Sequence, residues 1–81
     1  MTHHHHDYEI QSTLKFEEKM IKLLEHWIRH NSDHAQTYKD WAKKAKEKRK
    51  LRAALLLEDA AETTLSISNK FEAALKCIDE D

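Results

Sequence analysis

The sequence contains no glycine and no proline, and its single cysteine is Cys77. Glycine supplies the positive-φ positions of tight turns and the close backbone approach of phosphate-binding loops, so its absence argues against β-rich folds and nucleotide-binding loops. One cysteine excludes an intrachain disulfide and favours a cytoplasmic location. The longest uninterrupted apolar run is Ala53 to Leu57, too short to cross a membrane, so we expect no membrane association.

Charge is nearly balanced, with 14 basic and 15 acidic residues in a chain of 81. This balance gives no overall electrostatic case for binding nucleic acid. Basic residues are nevertheless concentrated between positions 43 and 52. Because cations complement the C-terminal end of a helix and no aromatic residue is interleaved for base stacking, we interpret this cluster as a solvated helix end and expect no nucleic-acid partner.

Two stretches of the chain have the three- and four-residue apolar spacing of amphipathic helices. The first begins near Thr13 and the second extends from about Leu51 to Ile78. The predicted core stripe of the first consists of Met20, Ile21, Leu24, Trp27, Ile28, Ala35, Tyr38, Trp41, Ala42 and Ala45. The predicted core stripe of the second consists of Ala53, Ala54, Leu57, Ala60, Ala61, Thr64, Ile67, Ser68, Phe71, Ala74, Leu75 and Ile78.

These patterns predict an all-α fold in which residues 13–81 form one helical domain behind a tail of residues 1–12. We place a turn near residues 46–51, which gives an antiparallel hairpin of two long helices. In a lone hairpin the apolar edges of both stripes stay exposed to solvent, so we expect a homodimer that forms a four-helix bundle. Two alternatives remain: a three-helix bundle with a break near residues 31–33, where capping residues occur, and a continuous rod paired with another chain.

Three histidines, His26, His30 and His34, occur at four-residue intervals and therefore follow one side of the first helix. Two imidazoles at this spacing can chelate one divalent ion. His26 and His34 are about 12 Å apart along the axis, too far to share it. His30 therefore pairs with either neighbour, and Asp33, water, a second chain or the tail supplies the other ligands. The alternative interpretation is that the three rings are simply polar residues beside the core.

A second group of histidines, His3, His4, His5 and His6, lies near the N-terminus. It has the composition of a metal-collecting tail, and it also resembles a shortened purification tag. Imidazole binds metals in its neutral form, so binding through either group is expected to weaken below the ordinary imidazole pKa of about 6.5.

The segment from His26 to Ala35, which reads His-Trp-Ile-Arg-His-Asn-Ser-Asp-His-Ala, resembles a motif of a family of small uncharacterised prokaryotic proteins. The resemblance covers residues 20–78, although only these ten residues are specific. It implies a helical hairpin, often behind a His-rich N-terminus, with a suspected role in handling nickel, cobalt or zinc. Arg49 and Lys50 stand where such proteins usually have a glycine at the turn.

The sequence thus favours a cytoplasmic protein that binds nickel, zinc or cobalt for buffering or delivery. The alternative is a non-catalytic helical dimer that acts as a structural or protein-interaction module. We expect no enzymatic activity, because the chain has no serine–histidine–aspartate order and no Glu-x-x-His motif.

Overall fold

The computed structural model describes residues 13–78 and 80, which form two helices joined by a short turn. Helix α1 runs Thr13–Glu47 and helix α2 runs Leu51–Ile78. The two helices pack against each other as an antiparallel hairpin, and these residues contain no strand. The predicted all-α hairpin and the position of its turn are confirmed, whereas the four-helix bundle stays a prediction. Neither helix in this part of the chain has an apolar stretch that could cross a lipid bilayer.

Helix α1 is continuous through Asn31, Ser32 and Asp33, so the alternative with a break at this point is wrong. These residue types cap helices well because their side chains compete for backbone hydrogen bonds. Here the apolar spacing continues in phase on both sides of the segment. Packing against α2 therefore outweighs the local capping preference.

The turn closes α1 by a Schellman motif built without glycine. The N–H of Lys50 donates to the carbonyl of Ala45 at 2.8 Å, and the N–H of Arg49 donates to the carbonyl of Lys46 at 2.9 Å. These two bonds satisfy carbonyl groups that the last turn of the helix would leave unpaired. The motif requires a left-handed residue, and Arg49 adopts this conformation with a φ of 64°.

We predict that Arg49→Gly stabilises the hairpin by about 1 kcal/mol, since a side chain in the left-handed region carries a steric cost that glycine avoids. The matched control is Lys48→Gly, because Lys48 has no positive φ and glycine there only adds backbone freedom. Urea denaturation followed by circular dichroism measures both variants. Equal destabilisation by the two substitutions would contradict the role assigned to Arg49.

The surface where the two helices meet, here called the seam, follows a strict seven-residue repeat in both helices. Its positions are all buried or half-buried. In α1 they are Ile21, Leu24, Ile28, Asn31, Ala35, Tyr38, Ala42 and Ala45, and in α2 they are Ala54, Leu57, Ala61, Thr64, Ser68, Phe71, Leu75 and Ile78.

The most deeply buried positions of the seam carry small side chains. Ala54 and Ala61 are 0% exposed, and Ala35 and Ala42 are almost as fully buried. Because these alanines recur every seven residues in each helix, the two backbones approach closely along the hairpin. Ser68 continues the same row of α2, and its buried Oγ makes no hydrogen bond.

Several residues predicted to lie in the core are exposed instead. Trp27 and Trp41 are 41% and 55% exposed, and Ala53 and Ile67 of α2 are exposed as well. The predicted stripes were too wide, because they included residues one position before the true seam positions Ile28, Ala42, Ala54 and Ser68. One residue corresponds to about 100° of rotation around a helix, which carries a side chain from the seam to its edge.

Candidate functional site

Two of the three α1 histidines direct ring nitrogens at each other. The Nε2 atoms of His30 and His34 are 3.0 Å apart, and the ring planes are almost perpendicular with centroids separated by 4.3 Å. Both side chains are exposed to solvent. In the absence of metal this distance is a hydrogen bond, in which one Nε2 carries the hydrogen and donates it to the other. His30 and His34 are referred to below as the histidine pair.

The same separation fits two ligands of one metal ion. Imidazole nitrogens bind divalent transition metals at about 2.0–2.1 Å, so two ligands at a bond angle between square and tetrahedral stand about 2.9–3.4 Å apart. The histidine pair lies within this range. Binding requires that both rings carry their hydrogen on Nδ1, which leaves both Nε2 lone pairs free, and that the rings turn so that these lone pairs converge on the ion.

His26 is a neighbour of the histidine pair rather than a third donor to it. Its ring stacks on that of His30, with centroids 5.5 Å apart and an interplanar angle of 22°. The sequence left open which neighbour His30 would choose, and the structure pairs it with His34. In a stacked arrangement His26 supports the position of the His30 ring.

Asp33 does not join the pair either. It precedes His34 directly and is therefore rotated by about 100° around the helix from it. Its backbone carbonyl accepts a hydrogen bond from Thr37 Oγ1 at 3.2 Å. Within residues 13–78 and 80, no cluster of three or more histidine, cysteine or acidic side chains is arranged to hold a metal. The predicted ligands His3, His4, His5 and His6 lie outside the described residues.

An aromatic groove between the helices adjoins the histidine pair. The ring of His34 stacks on that of Tyr38 at 6.0 Å, and the ring of Trp27 contacts that of Phe71 in α2 at 5.4 Å. The groove has a volume of about 400 Å³, and its walls are formed by Trp27, His30, Asn31, His34, Tyr38, Thr64, Ile67 and Phe71. These contacts restrict the His34 ring, which lowers the entropy that metal binding would cost.

The aromatic groove was not predicted as part of the site, because Trp27 and Tyr38 were assigned to the core. A signal for it exists in the sequence. Residues of α1 at positions 16, 20, 23, 27, 30, 34 and 41 share a second three- and four-residue spacing, offset from the seam. We call this set, Phe16, Met20, Leu23, Trp27, His30, His34 and Trp41, the outer stripe.

The basic cluster around the turn makes contacts within the hairpin. Lys46 forms an ion pair with Glu58 at 2.8 Å, and the ammonium of Lys44 lies 4.3 Å above the ring of Trp41. At this end of α1, an acidic residue of α2 therefore neutralises Lys46. Both contacts are exposed, so each contributes only modestly to stability.

The fold and the site together define a class of small helical-hairpin proteins that carry an exposed histidine pair on the first helix. The chain belongs to the family described as a domain of unknown function, DUF8180, whose model matches residues 20–78. This match covers α1 from residue 20 onward, all of α2 and the histidine pair. Neither the curated proteins nor the solved structures contain a match to the chain.

Proposed function

We propose that this protein binds a divalent transition metal, nickel, zinc or cobalt, through His30 and His34 and serves to buffer or deliver it in the cytoplasm. The observation that carries the proposal is the 3.0 Å separation of the two Nε2 atoms, which matches the spacing of two ligands on one ion. Nitrogen ligands without thiolate suit these metals and do not select among them.

The small number of protein ligands supports buffering or delivery rather than a permanent structural site. Structural zinc sites are closed by four protein ligands, whereas two imidazoles leave coordination positions open to water or to another donor. An open position lets a second molecule take over the ion. The exposure of both rings gives such a molecule access to it.

Calorimetric titration of nickel and zinc tests the proposal on a full-length chain in which His3, His4, His5 and His6 are all replaced by serine. In this tail-substituted chain we expect His30→Ala to weaken binding at least about tenfold, because it leaves His26 and His34, which are too far apart to share an ion. We expect His34→Ala to weaken binding more than His26→Ala does, because the ion must then use His26 in place of a ring of the pair. His26→Ala is the matched control, and we expect it to weaken binding by less than about threefold, or roughly 0.7 kcal/mol.

Unchanged binding in both His30→Ala and His34→Ala would contradict the proposal. A weakening by His26→Ala as large as that by His34→Ala would show that the donor pair is assigned to the wrong rings.

A second function, a non-catalytic protein-interaction module, is favoured by a different observation. The large side chains of Phe16, Leu23 and Trp41 are exposed on the outer stripe. Exposed apolar patches of this kind mark interaction surfaces in soluble proteins. This function would stand alone if the tail-substituted chain binds no metal yet associates with itself or with another protein.

A further inference from the structure

The hairpin buries small side chains most deeply and leaves many of its large ones exposed. Alanines occupy most of the deepest seam positions, and no large side chain among the described residues is fully buried. The outer stripe lies about 100° around α1 from the seam, so α2 covers it only in part. Trp27 nevertheless lines a groove with Ile67, which places the outer stripe on the same face of the hairpin as part of α2. A second molecule that packed on this face would bury the exposed side chains.

The outer stripe has an internal symmetry that indicates what this molecule is. Four of its seven residues are arranged symmetrically about the level of position 32, with His30 and His34 each two residues away and Leu23 and Trp41 each nine away. An antiparallel copy of α1, related by a two-fold axis at this level, therefore places His30 beside His34 of the second copy. It also places Leu23 beside Trp41 of the second copy. This self-complementary pairing is what a two-fold interface requires.

Helix α2 has the same symmetry at the matching level. Trp27 of α1 contacts Phe71 of α2. Because the helices are antiparallel, five residues forward along α1 correspond to five residues back along α2, so position 32 lies level with about position 66. Around position 65, Thr63 and Ile67 are each two residues away, and Leu56 and Ala74 are each nine away. The same axis thus pairs a large side chain with a small one on α2, which is the volume matching that close packing requires.

The face is large enough for a stable dimer. From Phe16 to Trp41 the outer stripe extends about 38 Å along the helix, and two adjacent helices are about 20 Å wide. The face therefore has an area of about 750 Å² per chain, close to the roughly 800 Å² per partner of standard stable interfaces.

We infer that two copies of this chain pack antiparallel through the outer stripe and that four imidazoles, the histidine pairs of both copies, hold one metal ion on the two-fold axis. The inference rests on the proposed function and extends it. A single chain offers two donors, and the second copy supplies the two nitrogens that complete a four-coordinate site. Metal binding and dimerisation are therefore coupled, and dissociation of the dimer reopens two coordination positions through which the ion can be passed on.

Sedimentation and calorimetry of the tail-substituted chain with zinc test this coupling. We expect one zinc per two chains and a shift from monomer toward dimer as zinc is added. Trp41→Ser removes a large side chain from the interface, so we expect loss of the dimer, one zinc per chain, and at least about tenfold weaker binding. Leu55→Ser is the matched control, since Leu55 is exposed outside the outer stripe, and we expect it to retain the dimer.

If the chain without interface substitutions binds one zinc per chain and remains a monomer, the inference is overturned and the proposed function is intact. Absence of binding of zinc, nickel and cobalt alike would overturn the proposed function. Equal loss of the dimer in Trp41→Ser and Leu55→Ser would overturn the assignment of the interface.

The orientation of the copies has a separate test. Spin labels attached to the exposed Cys77 lie 12 residues from position 65 of α2 in each copy. Antiparallel copies therefore place the labels about 36 Å apart, at 1.5 Å per residue. A label separation below about 20 Å would show that both labels lie at the same end of the bundle, which contradicts the axis proposed here.

Discussion

Leu24→Ala is expected to lower the free energy of unfolding by about 2–4 kcal/mol, a large share of the stability of a small domain. Leu24 is 4% exposed and is the most buried large side chain of α1. Its removal leaves a cavity in the seam between the two helices. Urea denaturation of the metal-free, tail-substituted chain, at one fixed low protein concentration, measures the effect.

Leu55→Ala is the control for this substitution, because it removes the same atoms from a side chain that is 61% exposed. We expect it to change stability by less than about 0.5 kcal/mol. Losses of equal size in the two variants would show that the seam is assigned to the wrong residues.

The contrast between these leucines also shows which part of the fold could be predicted from sequence. The three- and four-residue spacing was sufficient to predict two helices and a turn. It was not sufficient to decide which edge of each apolar stripe faces the other helix. Trp27 and Trp41 were placed in the core because they are large and apolar, yet the deepest positions belong to alanines. Close backbone approach selects small residues, and composition gives no information about that distance.

The turn illustrates a different limit. Glycine is the usual residue at the left-handed end of a helix, so its absence weakened the prediction of a sharp reversal. The structure makes the reversal with Arg49 in the left-handed region. Three residues separate the helices, and the packing of two long amphipathic faces compensates a local cost of about 1–2 kcal/mol.

For the candidate site, the four-residue spacing correctly predicted that His30 shares its side of the helix with a neighbouring imidazole. His26 and His34 are each four residues from His30, so the spacing alone could not decide which of them is its partner. The surroundings of the rings decide it, because His34 lines the groove and stacks on Tyr38, whereas His26 is not among the residues that line the groove. Side-chain surroundings of this kind depend on the other helix and are not contained in the local pattern.

Nickel is expected to stabilise the folded tail-substituted chain by up to about 2.7 kcal/mol when its free concentration is 100 times the measured dissociation constant. The reason is that the helix holds the two Nε2 atoms 3.0 Å apart, whereas an unfolded chain has no fixed separation between them. Thermal or urea denaturation with and without nickel gives the difference. We expect His26→Ala to retain this gain.

His30→Ala distinguishes a site on the helix from general binding of nickel to histidines. This variant keeps His26 and His34, which are too far apart along the axis to chelate one ion. If nickel binds the folded chain through the histidine pair, the variant gains almost no stability at the same free nickel concentration. A gain as large as that of the unsubstituted pair would mean that nickel stabilises the fold elsewhere, and the 3.0 Å contact would then be only a hydrogen bond between two surface histidines.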